Sequence, residues 1–213
     1  MFQTGVQGEG QGLDDKEGSR CPKCHFREDL CLCVSAPSLE SRACFFLLVH
    51  SRELNKRSNT GHLIVRCIDK AQYAVWSRVE EPTALMSLLQ SNHYQPYVLF
   101  PAQRLSTTQT TVVEQVAAEK PPLFILLEGT WQEAAKMYRQ SPYLQSLPVM
   151  SLKPQQTSQY GLRRNQKTEG LATVEIAIEL LEQLQEQQQA RDLQQYFQQF
   201  LLHYEAQRSQ RPL

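Results

Sequence analysis

The chain has 213 residues, of which 41% are hydrophobic, so it can bury one substantial core and carry one small additional module. Lys plus Arg and Asp plus Glu each number 22, which gives a formal net charge of zero and means that any nucleic-acid-binding surface must be local. The sequence contains no run of roughly 18 apolar residues, as a membrane span requires, and its first residues lack the basic and apolar segments of a secretion signal. We therefore expect a cytoplasmic protein without a membrane segment, and no obligate protein partner is predicted.

Composition divides the chain into three parts. Residues 1–19 are rich in glycine and polar side chains with little to bury, which predicts a flexible tail. Residues 20–40 contain four cysteines and predict a small zinc-binding module. Residues 41–213 hold most of the apolar residues and predict the main folded domain.

From residue 42 onward, short apolar runs alternate with helical patterns, which predicts an α/β fold with a mostly parallel sheet and flanking helices. The expected strands are Ala43–His50, Tyr73–Val79, Tyr97–Pro101, Leu123–Leu127 and Val149–Leu152. The expected helices are Thr60–Lys70, Pro82–Gln90, Thr111–Ala118 and Thr130–Arg139. The glutamine-rich stretch 171–204 has apolar residues at helical spacing and predicts two amphipathic helices packed on the sheet. Ligands of such sheets bind beyond the carboxyl ends of the strands, where we expect the functional site.

The cysteine spacing C-x2-C-x6-C-x-C suits a tetrahedral zinc site with four thiolate ligands. The four predicted ligands are Cys21, Cys24, Cys31 and Cys33. The alternatives are a pair of disulfides, which a reducing compartment disfavours, or a coincidental grouping of cysteines. Cys44 and Cys67 lie within apolar patterns, so we interpret them as buried core thiols and not as ligands.

A polar segment from His50 to Gly61 follows the first expected strand and leads into a helix. Its residues Ser58, Asn59, Thr60 and Gly61 suit a tight turn and a helix cap, and the amide donors of such a turn could receive a carboxylate or a phosphate. An ordinary helix cap surrounded by solvated charges is the alternative interpretation.

A second polar segment, Glu128–Gln132, follows the most apolar strand and opens a helix. Glu128 is either a carboxylate at the start of the helix or a base at the edge of the sheet. Trp131 is either a core residue or an aromatic surface on which a base stacks.

The third segment contains the best local phosphate-binding patch of the chain, formed by Arg163 and Arg164 with Lys167. Adjacent arginines can also be simple surface charge. The sequence contains no G-x-G-x-x-G or Walker-type loop, so a dinucleotide or a nucleoside triphosphate is not supported.

Together, these segments resemble the DTW domain family of tRNA-uridine aminocarboxypropyltransferases. The resemblance includes the cysteine cluster, the pattern H-x2-E-x2-K-x-S-N-T-G, the Leu-Arg-Arg element Leu162–Arg164 and the T-x-E pattern of Thr173 and Glu175. The family name spells Asp-Thr-Trp, whereas this chain has Glu-Gly-Thr-Trp at 128–131. Either the acidic position falls on Gly129 and the carboxylate is absent, or one residue precedes the threonine and Glu128 replaces the aspartate. We favour Glu128, because it retains the carboxylate.

The resemblance implies transfer of the 3-amino-3-carboxypropyl group of S-adenosylmethionine to N3 of a tRNA uridine, with position 47 of the variable loop as the expected target and 5′-methylthioadenosine as the coproduct. It implies a sheet like that of the SPOUT-type RNA methyltransferases, which can be knotted, and a structural zinc ion. Glu128 is then the candidate base, and tRNA is bound by Arg163, Arg164 and Lys167. The candidate cofactor-binding residues are Ser58, Asn59, Thr60, Gly61, Thr130 and Trp131.

Two other functions remain open at this point. An RNA methyltransferase on the same fold would release S-adenosylhomocysteine instead of methylthioadenosine. A non-catalytic zinc-ribbon module would bind tRNA without responding to S-adenosylmethionine.

Overall fold

The computed structural model describes residues 19–24, 26–101, 111–116, 119–152 and 171–209 of the chain. Residues 1–18 of the expected tail lie outside the described residues, as do Arg163, Arg164 and Lys167. Within the described residues, no helix is both long enough and apolar enough to cross a membrane.

The described strands form one six-stranded sheet in the order β2-β1-β5-β3-β6-β4, and all of its strand pairs are parallel. The strands are β1 Cys44–Val49, β2 Ala71–Val75, β3 Gln95–Leu99, β4 Val112–Val113, β5 Pro122–Glu128 and β6 Val149–Met150. The central strands β1 and β5 are almost entirely buried, because both faces of the sheet are covered. Strands of this kind are continuous apolar runs, which is the pattern that the sequence shows. The prediction of a mostly parallel α/β sheet is confirmed.

Helices cover the sheet on both faces. They are α1 Gly61–Cys67, α2 Thr83–Gln90, α3 Trp131–Arg139, α4 Pro142–Gln145, α5 Thr173–Gln183 and α6 Gln187–Ser209. Alternate residues of β1 enter two separate cores: Phe45 and Leu47 join the core under α1, α5 and α6, whereas Phe46 joins the core under α2, α3 and α4. The two expected amphipathic helices at the end of the chain are confirmed as α5 and α6.

The expected helix over Thr111–Ala118 is wrong in its described part. Val112–Val113 is instead a short strand at the edge of the sheet, paired with β6. The Val149 amide donates to the Thr111 carbonyl at 2.9 Å, so this backbone is used for sheet pairing. Consecutive β-branched valines favour the strand over the helix.

The first expected helix is shorter than predicted and ends at Cys67, because the next residue, Ile68, pairs with Leu39 in an isolated parallel bridge. The Leu39 amide donates to the Cys67 carbonyl at 2.7 Å, and the Asp69 amide donates to the Leu39 carbonyl at 3.0 Å. The chain therefore turns at Asp69 and Lys70, and β2 begins two residues before the expected strand.

The four-cysteine segment packs directly on α6. The Phe26 ring stacks on the Phe200 ring with a centroid distance of 5.6 Å. The Tyr196 hydroxyl donates to the Leu32 carbonyl at 3.1 Å, and His203 Nδ1 lies 2.9 Å from the Leu30 carbonyl. The apolar residues of the segment therefore belong to the same core as α1, α5 and α6.

Candidate active site at the carboxyl edge of the sheet

Two of the polar segments identified in the sequence, together with the T-x-E pattern of α5, meet beyond the carboxyl ends of β1 and β5. Val49 is opposite Glu128 in the sheet register, and the His50 amide donates to the Glu128 carbonyl at 2.9 Å. The Thr60 side-chain oxygen accepts a hydrogen bond of 3.3 Å from the Val174 amide, which joins the polar turn to the start of α5. Segments distant in the sequence thus form one continuous site.

Glu128 is the last residue of β5, and its side chain lies against the first residue of α1. A Cβ atom built on Gly61 would lie 2.7 Å from Glu128 Oε1 and 2.5 Å from Leu47 Cδ2. Glu128 is only 3% exposed. The structure therefore places a buried carboxylate beside the start of α1, in a space that exists because residue 61 has no side chain.

The residues Ser58 to Gly61 form the predicted tight turn. Asn59 Oδ1 accepts a hydrogen bond of 2.7 Å from the Gly61 amide, as in an Asx turn, and Asn59 Nδ2 donates to the Glu53 carbonyl at 3.4 Å. Thr60 is the N-cap residue of α1, but its side chain makes no capping bond within this helix. The Gly61 amide is thus already paired inside the turn, and the Thr60 hydroxyl serves the contact with α5.

Glu53 in the same segment forms an ion pair with Lys56. Glu53 is buried, and its Oε1 lies 2.6 Å from Lys56 Nζ. The Lys56 side chain is about half exposed, at 45%, so the pair fixes an ammonium group at the surface of the turn. Glu53 and Lys56 are three residues apart in the sequence, a spacing that allows this ion pair.

A second carboxylate at this edge, Glu133, was not singled out in the sequence analysis. Glu133 Oε2 accepts hydrogen bonds from the Thr130 amide at 2.9 Å and from the Thr130 hydroxyl at 2.8 Å, and the Glu133 amide donates to the Thr130 hydroxyl at 3.3 Å. This reciprocal arrangement is a capping box, whose T-x-x-E spacing is visible in the sequence. The carboxylate that caps α3 is thus Glu133.

The surroundings of Glu133 determine its protonation. Burial raises the pKa of its carboxyl, but the hydrogen bonds from Thr130 and the electrostatic interactions with His50 and Lys56 outweigh burial and lower the pKa overall. His50 Nδ1 lies 3.6 Å and Arg52 Nη1 3.7 Å from Glu133 Oε1. Glu133 is therefore an ionised group that joins the segment after β1 to the start of α3.

Aromatic rings occupy the same edge. The His50 and Trp76 rings are stacked at 6.0 Å with an angle of 21° between their planes, and Trp76 Nε1 donates to the Ser141 hydroxyl at 3.0 Å. Trp131, the first residue of α3, is 43% exposed. This exposure is incompatible with a fully buried core position and leaves a large aromatic surface at the site.

The four cysteines of the predicted zinc site form one group. Their ligand atoms all lie within 4.8 Å of one another, and the Sγ atoms are 3.7 Å apart in the pairs Cys21 with Cys33 and Cys24 with Cys31. A tetrahedral zinc ion with Zn–S bonds of about 2.3 Å places its sulfur ligands about 3.8 Å apart. The group therefore has the donor set and the spacing to hold one metal ion.

The two remaining cysteines are core thiols, as predicted. Cys44 is 1% exposed and Cys67 is 2% exposed. Burial raises the pKa of Cys44 to about 11 and the pKa of Cys67 to about 12. Both thiols are therefore protonated at neutral pH.

A cleft of about 390 Å³ lies between the four-cysteine segment, the polar segment after β1, and α1. We call it the basic cleft, because four cationic side chains line it: Lys23, Lys56, Arg57 and Arg66. Two of the predicted cofactor-binding residues, Asn59 and Gly61, also line this cleft. Thr130 and Trp131 lie at the start of α3, beyond β5.

The chain matches the model of the DTW domain over residues 18–205 and therefore belongs to the DTW domain family. The matched region includes the four cysteines, the turn before α1, the end of β5 and the start of α5. The family assignment made from the sequence motifs is thus confirmed.

Two curated relatives carry the name tRNA-uridine aminocarboxypropyltransferase 2. The Macaca fascicularis protein is 22% identical over 174 residues, which cover 78% of this chain and 58% of the relative. The Mus musculus protein is 21% identical over 169 residues, which cover 76% of this chain and 56% of the relative. The chain thus spans somewhat more than half the length of these relatives. No solved structure matches the chain at a significant level.

Proposed function

We propose that this protein transfers the 3-amino-3-carboxypropyl group of S-adenosylmethionine to N3 of a tRNA uridine. The observation that carries the proposal is the buried carboxylate of Glu128, which lies against Gly61 where the polar segments after β1 and β5 converge. The family membership and the names of the two relatives support the same reaction. Position 47 of the tRNA and the likeness to SPOUT-type enzymes stay predictions.

The reaction requires one proton transfer and one displacement. N3 of uridine carries a proton at neutral pH, and Glu128 accepts it in our proposal. The N3 electron pair then forms a bond to Cγ of the methionyl group, the Cγ–S bond breaks, and its electron pair stays on sulfur, which leaves 5′-methylthioadenosine. Because the sulfonium carries three electrophilic carbons, the site must hold Cγ and not the methyl carbon in line with N3.

The other site residues position the two substrates. We assign the turn Ser58 to Gly61, together with Thr130 and Trp131, to the cofactor, since all of them lie at the carboxyl edge of β1 or β5. Arg163, Arg164 and Lys167 remain our candidates for contacts with the tRNA backbone.

We propose that the metal held by the four cysteines is zinc and that its role is structural. The reaction needs no metal, and a closed shell of four thiolates leaves no open position for a substrate. The cluster shares its core with α6, so the metal would stabilise the packing of residues 20–40 on the main domain.

The test is to incubate the protein with an unmodified tRNA transcript and S-adenosylmethionine that carries different isotopes in its methyl and aminocarboxypropyl groups. Nucleoside mass spectrometry then reads which group was transferred and to which base. Uridine with the aminocarboxypropyl label, together with methylthioadenosine, supports the proposal. Transfer of the methyl label with S-adenosylhomocysteine would show an RNA methyltransferase. Binding of tRNA without any transfer, and without a response to the cofactor, would show a non-catalytic module.

A further inference from the structure

We infer that the basic cleft binds the phosphate backbone and one base of the substrate RNA, with the four-cysteine segment supplying part of the site. The identity of the ligand as RNA rests on the proposed function. The cations that line the cleft come from two parts of the chain, Lys23 from the four-cysteine segment and Lys56, Arg57 and Arg66 from the polar segment and α1.

The charges in the basic cleft are only partly compensated. Lys56 pairs with Glu53. Arg66 donates to two neutral oxygens, the Tyr196 hydroxyl at 3.3 Å and the Lys23 carbonyl at 3.2 Å. Within the part of the chain that the structure describes, neither Lys23 nor Arg57 has a carboxylate partner, and no acidic residue lines the cleft. Such a surface attracts a polyanion.

The cleft also has an apolar and aromatic part. Tyr73 on the edge strand β2 is 56% exposed, and Leu54 is 39% exposed. Leu47, opposite Tyr73 in the sheet register, also lines the cleft. Cationic groups beside an exposed aromatic ring suit an unpaired nucleotide, whose phosphate meets the cations while its base stacks on the ring.

The charge of the cofactor argues against the alternative that S-adenosylmethionine lies among the cations of the basic cleft. Of the residues assigned to the cofactor, the turn residues Asn59 and Gly61 also line the cleft, and we expect them to border both ligands. The sulfonium and ammonium groups of S-adenosylmethionine outnumber its single carboxylate, so the molecule carries a net positive charge. The cationic side chains of the cleft, even with Lys56 paired to Glu53, would repel it. The backbone of RNA, with one negative charge per nucleotide, has the complementary charge.

The basic cleft is also placed to deliver RNA to the proposed base. Gly61 lines the cleft and contacts Glu128, so the cleft and the buried carboxylate have this residue as a common neighbour. The hydrogen bond from Arg66 to the Lys23 carbonyl holds the four-cysteine segment against α1. We therefore assign this segment the role of positioning Lys23 for RNA binding.

The experiment compares the double variant Lys23→Ala/Arg57→Ala with a control, Arg42→Ala/Arg191→Ala. The control removes the same charge from exposed positions near the amino edge of the sheet, away from the cleft. Affinity for an unmodified tRNA transcript is measured across a salt series. We expect the cleft variant to lose on the order of tenfold in affinity, and the slope of log affinity against log salt to become shallower by about 1.4 to 1.8 for two lost phosphate contacts. The control should retain both the affinity and the slope of the wild type.

Tyr73 provides an independent test of the base contact. Tyr73→Ala should weaken tRNA binding by about tenfold with little change in the salt slope, because stacking involves no phosphate. Tyr73→Phe keeps the ring and should bind as the wild type does. If the wild type, Tyr73→Ala and Tyr73→Phe bind tRNA with equal affinity, Tyr73 does not stack on a base of the RNA.

Wild-type tRNA affinity and salt slope in Lys23→Ala/Arg57→Ala would overturn the inference. Loss of S-adenosylmethionine affinity in this variant with tRNA binding intact would also overturn it, because the basic cleft would then be the cofactor site. An equal loss in the control pair would also overturn it, because binding would then follow total charge. Melting temperatures confirm that each variant is folded. These experiments measure binding and not transfer. If the wild-type protein binds tRNA through the cleft but transfers no group, the proposed function is refuted and the inference about the cleft is not.

Discussion

Glu128 at the end of β5 and Gly61 at the start of α1 are in direct contact, since a Cβ atom on residue 61 would lie 2.7 Å from Glu128 Oε1. The two residues are 67 positions apart in the sequence, and parallel pairing of β1 with β5 brings them to the same edge of the sheet. The contact means that the position of the carboxylate depends on the absence of a side chain at residue 61.

Gly61→Ala should therefore destabilise the protein and impair activity. The added methyl group meets Leu47 and Glu128, both buried, and overpacking of this kind typically costs about 1 to 3 kcal/mol. Urea unfolding measures the loss. Gly129→Ala is the matched control, because its nearest contact would be 3.0 Å, to Glu133 Cβ, and it should cost less. Equal stabilities for Gly61→Ala and the wild type would show that the space is not restricted.

Glu128→Gln tests the proposed base. Glutamine keeps the shape of the side chain but cannot accept the N3 proton at neutral pH, so turnover should fall by about 10²- to 10⁴-fold while both substrates still bind. Glu128→Asp should retain substantial activity, because the family motif has aspartate. The measurement is the single-turnover rate at saturating tRNA and cofactor. A Glu128→Gln rate within a few-fold of the wild type would exclude Glu128 as the base.

Glu133→Gln should lower the stability of the protein, but it should not reduce the rate of transfer as Glu128→Gln does. Glutamine can keep the hydrogen bond to the Thr130 amide, but the substitution removes the negative charge at the start of α3, and such a charge contributes about 0.3 to 1 kcal/mol. A large loss of rate with unchanged stability would instead give Glu133 a role in catalysis.

The contribution of Glu133 should also depend on pH. Its pKa is lowered below the ordinary value of 4.5 in the folded protein, so the folded state favours the ionised form. The stabilisation is therefore fully present above about pH 4.5 and is lost as the pH falls through the lowered pKa. The difference in unfolding free energy between the wild type and Glu133→Gln should shrink as the pH falls from about 7 to about 3. A constant difference across this range would contradict the lowered pKa.

Purified protein should contain one zinc ion per chain. Replacement of Cys24 or Cys31 by serine should reduce the metal content and the melting temperature together, because metal binding and folding of the segment are coupled. Cys44→Ala, which changes a buried thiol outside the cluster, should keep the full metal content. Elemental analysis gives the zinc content, and freshly prepared wild-type protein without zinc would contradict the assignment.

The sequence alone predicted several strands, helices and the cysteine cluster, because each of these depends on a pattern of residues that are close together in the chain. The buried runs of β1 and β5, the helical spacing of α5 and α6, and the cysteine spacing depend on neighbouring residues, and the structure agrees with each of them. The motif order alone identified the DTW domain family. The helix expected around Val112–Val113 was wrong because the two β-branched valines, which favour a strand, pair with β6, about 37 residues further along the chain.

Only the tertiary structure decided which residues meet. Strand order β2-β1-β5 is not chain order, so no local pattern indicates that Glu128 contacts Gly61 or that Thr60 bonds to Val174. No local sequence pattern indicates the basic cleft either, because Lys23 and Arg57 come together only when the four-cysteine segment packs on α1 and α6. Spacing along the chain governs helices, strands and ligand clusters, whereas contacts between distant segments follow from the sheet order and from the burial of apolar surface shared by both segments.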